Sequence, residues 1–268
     1  MHTKHLSLSA LLIVSFTYTS LAQNLTKKYR TGDKNTSAWY FTTAFLPGER
    51  VGNIYSRTIA YSGNGFNDLV QRVSGSSIYK VTNDNYLNPE FEETDLYDGR
   101  PAATGHSVIG RSGQGSYNGK TFMNTSASGL LFSELVWGKL PAKLHEGDSW
   151  KVELTQAWEL GGPGTQTVTV MQMDAEHHTI TLKREGSSEG FFDGDARQIP
   201  ITTKDGKKLT VDLVPGPAHW IGYTTFKNGV VISDELLVTR PITLKAGDVS
   251  FNSNEREYIL LNAMPVDK

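Results

Sequence analysis

The pair Asn228-Gly229 constrains this chain more than any other two residues. Asn-Gly supplies the two positive-φ positions of a tight hairpin turn, and here it lies between Trp220–Phe226 and Val230–Thr239, two runs of strand length rich in aromatic and β-branched residues. The same grammar recurs along the sequence. Asn53–Ser62 alternates and is followed by Gly63-Asn64-Gly65; Phe66–Arg72 and Ser77–Val81 continue it. Trp150–Ala157, Thr165–Met173 and Thr179–Arg184 form a second set around the Gly161–Gly164 turn, and Lys204-Asp205-Gly206-Lys207 joins Ile199–Thr203 to Lys208–Leu213. Glu257–Leu261 reads as the last strand. The expectation is an all-β, antiparallel protein.

A second feature suggests internal duplication. Gly129–Asp148 aligns without a gap on Gly229–Asp248, with six identities: Gly129, Ser133, Pro141, Leu144, Gly147 and Asp148 meet Gly229, Ser233, Pro241, Leu244, Gly247 and Asp248. Each copy has an apolar run, a proline and a Gly-Asp turn. Leu130, Leu131, Glu134 and Leu135 would also suit one face of a helix, but the β-branched start of the second copy favours strand in both. The expected organisation is a signal peptide over residues 1–22, a first β-rich unit over 23–149 and a second over 150–268. The two units would pack together, or merge into one curved sheet or partial barrel.

The leader reading rests on Met1–His5, which is basic, followed by apolar Leu6–Phe16 and small residues at Ser20 and Ala22, which place cleavage before Gln23. This predicts export to the periplasm or the cell exterior. No later stretch has the roughly 20 apolar residues of a membrane helix. The chain has no cysteine, which excludes disulfides, thiolate catalysis and a lipid-modified N-terminal Cys. Its formal charge of -2 and scattered Lys and Arg do not suit nucleic acid. The Gly105–Gly119 stretch lacks the lysine and strand-to-helix setting of a phosphate-binding loop, so no cofactor is expected.

Leu144-x-x-Gly147-Asp148-x-Trp150 and Gly222-Tyr223-Thr224-x-Phe226-x-x-Gly229 resemble segments of uncharacterised periplasmic proteins built on a strongly curved antiparallel sheet, a shape shared by lipoprotein carriers. The resemblance implies an apolar concavity able to hold an acyl chain or another greasy ligand.

Candidate site residues follow from residue type and position. Trp150 and Trp158 flank turns and are expected at a rim, whereas Trp137 is expected in the core. His219 and Trp220 follow the rigid Pro215-Gly216-Pro217 loop, which would present an imidazole beside an indole. Trp150, Trp158, His219 and Trp220 are therefore the expected ligand-binding residues. His177-His178 offers no spaced ligand set, so no metal is expected. Asn83–Gly99 reads as a long acidic loop that could hold a short strand, and Asp193 and Asp195 as a second acidic pair. The favoured function is non-catalytic binding of a small lipid-like or glycan ligand. One alternative is a secreted carbohydrate-active hydrolase or lyase using acids of residues 84–98 with His106 or His219. Another is a structural subunit of an envelope complex.

Overall fold

The computed structural model describes residues 33–192 and 197–266. The expected leader and the Asp193/Asp195 pair lie outside the described residues. The described chain is one curved antiparallel sheet of 14 strands with two single-turn helices. Six strands form a first meander: β1 (Arg50–Gly63), β2 (Leu69–Asn83), β3 (Glu90–Tyr97), β4 (Arg100–Ile109), β5 (Gln114–Tyr117) and β6 (Lys120–Met123). The remainder are β7 (Ser149–Leu154), β8 (Gly164–Asp174), β9 (Thr179–Ser188), β10 (Gln198–Thr202), β11 (Lys208–Pro215), β12 (Ala218–Lys227), β13 (Val230–Ala246) and β14 (Val249–Pro265). The order across the sheet is β6-β5-β4-β3-β2-β1-β14-β13-β12-β9-β8-β7, so the last strand closes against the first.

Strand length explains how two groups of strands share one sheet. β13 and β14 are 17 residues each, long enough to serve different neighbours at their two ends. The first half of β13 pairs with β12, while Ile242–Lys245 pairs with β11. The β10–β11 hairpin then reaches the β1–β2 turn, where Phe66 bridges Thr203 and the Asn67 N–H donates to the Thr202 carbonyl at 2.8 Å. The far ends of β1, β14, β13, β11 and β10 are thereby joined in a closed circuit.

The sheet has an inner, covered face and an outer face. β12 alternates without a break: Ala218, Trp220, Gly222, Thr224 and Phe226 point inward and are buried, whereas His219, Ile221 and Tyr223 are exposed. Phe226 anchors the main core, with Phe41 at 5.0 Å, Trp137 at 5.3 Å and Phe132 at 6.2 Å between ring centroids. A second core, around Tyr61, Phe66, Ile199, Ile201, Val211, Leu213, Ile242 and Leu244, fills the closed end. A third, around Phe45, Tyr79, Phe91, Leu130 and Leu131, sits under β2 and β3.

The Asn228-Gly229 turn forms as expected, with φ of 53° and 75°. Gly229 is needed twice over. Besides its positive φ, a Cβ there would meet the Phe41 carbonyl oxygen at 2.7 Å, and its N–H donates to the Tyr40 carbonyl at 2.8 Å. That contact seats helix α1 (Ser37–Phe41), with Tyr40 and Phe41 buried.

Two further expectations are corrected. The strand expected in the first aligned copy, within residues 126–140, is an irregular crossing segment containing helix α2 (Glu134–Trp137), and Leu130, Leu131, Phe132 and Ser133 are all buried. Four consecutive buried residues cannot lie in a strand with one solvent face, because successive side chains alternate. Gly147 and Gly247, the turn residues of the two aligned copies, do share positive φ, at 89° and 59°. The acidic stretch is also not a long loop. Its second half is β3, in which Tyr79 donates to Glu93 at 2.9 Å and Ser77 to Asp95 at 2.8 Å.

The packing around Phe226 carries a direct expectation. Phe226→Ala should lower unfolding free energy by about 3–5 kcal/mol, as for other buried aromatic truncations. Denaturant melts measure it, and a loss under about 1 kcal/mol would contradict the core assignment.

Candidate functional site

Charged residues on the inner face form two buried centres. The first is Arg184 and Asp234, whose side chains are 0% and 2% exposed and 2.8 Å apart. Asp234 also accepts from the Ser128 and Thr224 hydroxyls, while Arg184 donates to the Ala127 carbonyl at 2.6 Å and lies 4.9 Å from the centre of the Trp137 ring. A buried pair with this many partners locks the 127–137 crossing segment onto β9, β12 and β13; it leaves no open carboxylate for chemistry.

The second centre is a layer between the main core and the closed-end core. Arg57 of β1, Arg240 of β13, and Glu255 and Glu257 of β14 occupy inward positions of their strands. Arg240 lies 2.7 Å from Glu255 and 3.6 Å from Glu257, and Arg57 pairs with Glu257. Arg57 also donates to Glu159 at 2.7 Å, which accepts from Tyr55 at 3.3 Å and from the Ala127 N–H at 2.8 Å. The contacts among Arg240, Glu255 and Glu257 are ion pairs in poor hydrogen-bond alignment, with the Arg240 nitrogens and Glu257 oxygens buried. Burial pushes the Glu257 carboxyl above the ordinary glutamate range, against the opposing pull of Arg57 and Arg240. Burial likewise pushes the Tyr55 and Tyr61 hydroxyls up.

The four residues expected to bind ligand are not gathered into one site. Trp220 is buried, and its indole N–H donates to Gln166 at 3.1 Å. Trp158, expected at a rim, is buried too and stands edge-on to Trp220 with ring centroids 5.0 Å apart. Trp150 is half-buried against the main core and donates to the Trp137 carbonyl at 2.9 Å. His219 is exposed on the outer face, because it neighbours Trp220 along an extended strand and must point the other way. Among the acids of the hydrolase alternative, Glu90 contacts His106 at 3.1 Å. Glu93 and Asp95 lie on the opposite face of β3, bonded to Tyr79 and Ser77.

The outer face shows a feature that those four residues do not include. Ile221 of β12, Leu237 of β13 and Tyr258 of β14 are directly opposite one another in register, and are 38%, 42% and 41% exposed. Tyr223 and Leu260 flank this row across Glu235, and Ile54 and Met264 extend the exposed apolar surface toward β1. A signal for it exists in the sequence, since IGYT and ELLV place apolar side chains on both phases of a strand that is buried on one. The interior offers far less room. A cavity of about 100 Å³ between α2 and the end of β7 is lined by Glu134, Leu135, Glu153, Leu154, Gln156 and Trp158, among others, too small for an acyl chain. No described helix is long and apolar enough to cross a membrane.

No protein-family model and no curated protein matches the chain. Among solved structures it is similar to a lipovitellin structure described for its lipid–protein interactions, with 9% identity and a TM-score of 0.42 over 84% of this chain; the chain spans 26% of that protein. It is also similar to an outer membrane channel from Pseudomonas putida F1, with 10% identity and a TM-score of 0.21 over 83% of this chain and 98% of that one. Likenesses this distant assign no activity.

The ionic layer gives a pH signature. With its folded pKa raised, Glu257 holds its proton to higher pH when folded than when unfolded. Its contribution to stability is therefore greatest below the ordinary glutamate range and is lost as pH rises through the raised value. Glu257→Gln removes this dependence. The stability difference between variant and wild type should shift toward the variant as pH rises from about 4, and a difference constant from about pH 4 to 8 contradicts the assignment.

Proposed function

We propose that this chain is an exported, non-catalytic binding protein that engages a lipid-like partner on the open outer face of its sheet, not in an enclosed pocket. The observation that supports this reading is the exposed row Ile221, Leu237 and Tyr258, held in register by three adjacent strands. A surface of this kind gains from being covered, at about 25 cal/mol per Å² of apolar area removed from water. Its polar surroundings, Glu235, Thr239 and Arg256 among them, keep the face compatible with water when unliganded.

A second reading, a subunit of an envelope complex, is favoured by the sheet edge. Among the described strands β6 pairs only with β5, and Phe122 and Met123 on it are exposed. An edge strand with apolar side chains is a template for another strand.

The test is co-sedimentation of the mature protein with phosphatidylcholine vesicles. The lipid reading expects binding that falls about tenfold or more in the Ile221→Lys/Leu237→Lys variant, with an unchanged far-UV spectrum since both positions are exposed. Absence of vesicle binding by the wild type overturns it. If the mass of the protein in solution then rises with concentration, and Phe122→Lys abolishes the rise, the complex-forming reading takes its place.

A further inference from the structure

The cavity between α2 and β7 has an unusual floor. Trp158 is 3% exposed, yet its indole N–H has no acceptor among the described residues, and the Gln156 side-chain amide N–H₂ group is likewise buried without one. Both residues line the same cavity. The loop that carries them is tightly held: Trp158 and Gly161 exchange backbone hydrogen bonds at 2.9 and 3.1 Å, the Glu159 N–H donates to the Thr125 carbonyl at 3.0 Å, and the Trp158 ring rests on Trp220. The Trp158 ring is thus fixed in place, and two unpartnered donors belong to the residues that line the cavity.

The rest of the lining has the complementary character. Glu134, which pairs with Arg111 at 3.6 Å, and Glu153 stand exposed at the mouth, one from α2 and one from β7, and Leu135 and Leu154 supply apolar wall. An anion would meet two carboxylates at the mouth, and an alkyl group would leave both N–H groups unpaired. A cation would satisfy the carboxylates but cannot accept from the floor. A neutral polyhydroxylated molecule does both: its oxygens accept from Trp158 and Gln156, its hydroxyls donate to Glu134 and Glu153, and its C–H faces pack on the wall. The volume, about 100 Å³, is below the roughly 150 Å³ of a cavity that encloses benzene, so the niche takes one edge of a sugar ring while the rest projects past its mouth.

We propose that this niche is a binding site for one neutral sugar unit, held by the indole N–H of Trp158 and the amide of Gln156 at its floor and by Glu134 and Glu153 at its mouth. The site lies on the covered side of the sheet and is independent of the outer face, so either can fail without the other.

The experiment is calorimetric titration of the mature protein with glucose, galactose, mannose and N-acetylglucosamine. The proposal expects saturable one-to-one binding of at least one of them. Trp158→Phe, which keeps a ring and removes the N–H, and Gln156→Leu should each weaken it about tenfold. Lys204→Ala, on a distant exposed turn, should not change it. Gln156 is only half-buried, so its variant carries the test should Trp158→Phe fail to fold. No saturable binding of any of the four at about 50 mM, or binding unchanged in the folded variants, overturns the proposal. Sugar binding that survives Ile221→Lys/Leu237→Lys separates this site from the outer face.

Discussion

Everything in this fold depends on three long strands, β1, β14 and β13, that carry an ionic layer across their middle. On the inner face each strand passes from apolar to charged to apolar: Leu236 and Val238, then Arg240, then Ile242 and Leu244 on β13, with Ile259 and Leu261, then Glu257 and Glu255, then Phe251 on β14. Removing Arg240 leaves Glu255 buried without its cationic partner, a larger penalty than losing an exposed ion pair. A one-residue slip of β14 against β13 would turn Glu255 and Glu257 to the outside and strand Arg240 among apolar side chains. The layer therefore opposes register error at the centre of a wide open sheet, where two apolar faces alone would tolerate sliding more readily.

The same layer explains what the sequence conceals. Asn228-Gly229 and the Lys204–Lys207 turn are legible because turn chemistry is local, and β12 is legible because an aromatic-rich run of strand length leads into that Asn-Gly. β14 is read only at residues 257–261 although it spans 17, since Glu255 and Glu257 look like surface residues in a strand whose buried phase they occupy. Arg240 did leave a trace, lying in phase with Leu236, Val238, Ile242 and Leu244. β3 is obscured for a related reason: its acids have poor strand propensity and are held by Tyr79 and Ser77 from a neighbouring strand. The aligned segment at residues 129–148 misleads because matching glycines and prolines preserve a turn, not the pairing of the residues before it; the Arg184–Asp234 centre fixes that segment across the sheet instead.

The functional surfaces follow from how completely the interior is filled. Trp158, Trp220 and Phe226 all pack in the main core, so Trp158 and Trp220 present no open indole face. The two surfaces proposed for recognition are the outer row of Ile221, Leu237 and Tyr258, and the small niche lined by Trp158 and Gln156. Of the residues singled out from sequence, Trp158 lines the niche and His219 lies on the outer face, one position from Ile221 along β12. Neither setting is local. The row exists only when β12, β13 and β14 are in register, and the niche only when the crossing segment packs beside β7.

The most direct measurement is a double-mutant cycle between Arg240 and Glu255, read as unfolding free energy for Arg240→Met, Glu255→Met and the pair. If the ionic layer is a coupled unit, each single change costs about 3–5 kcal/mol and the double change costs clearly less than their sum. Losses that add to within about 0.5 kcal/mol would show that the two side chains act independently, and the layer could not then be what holds the three strands in register.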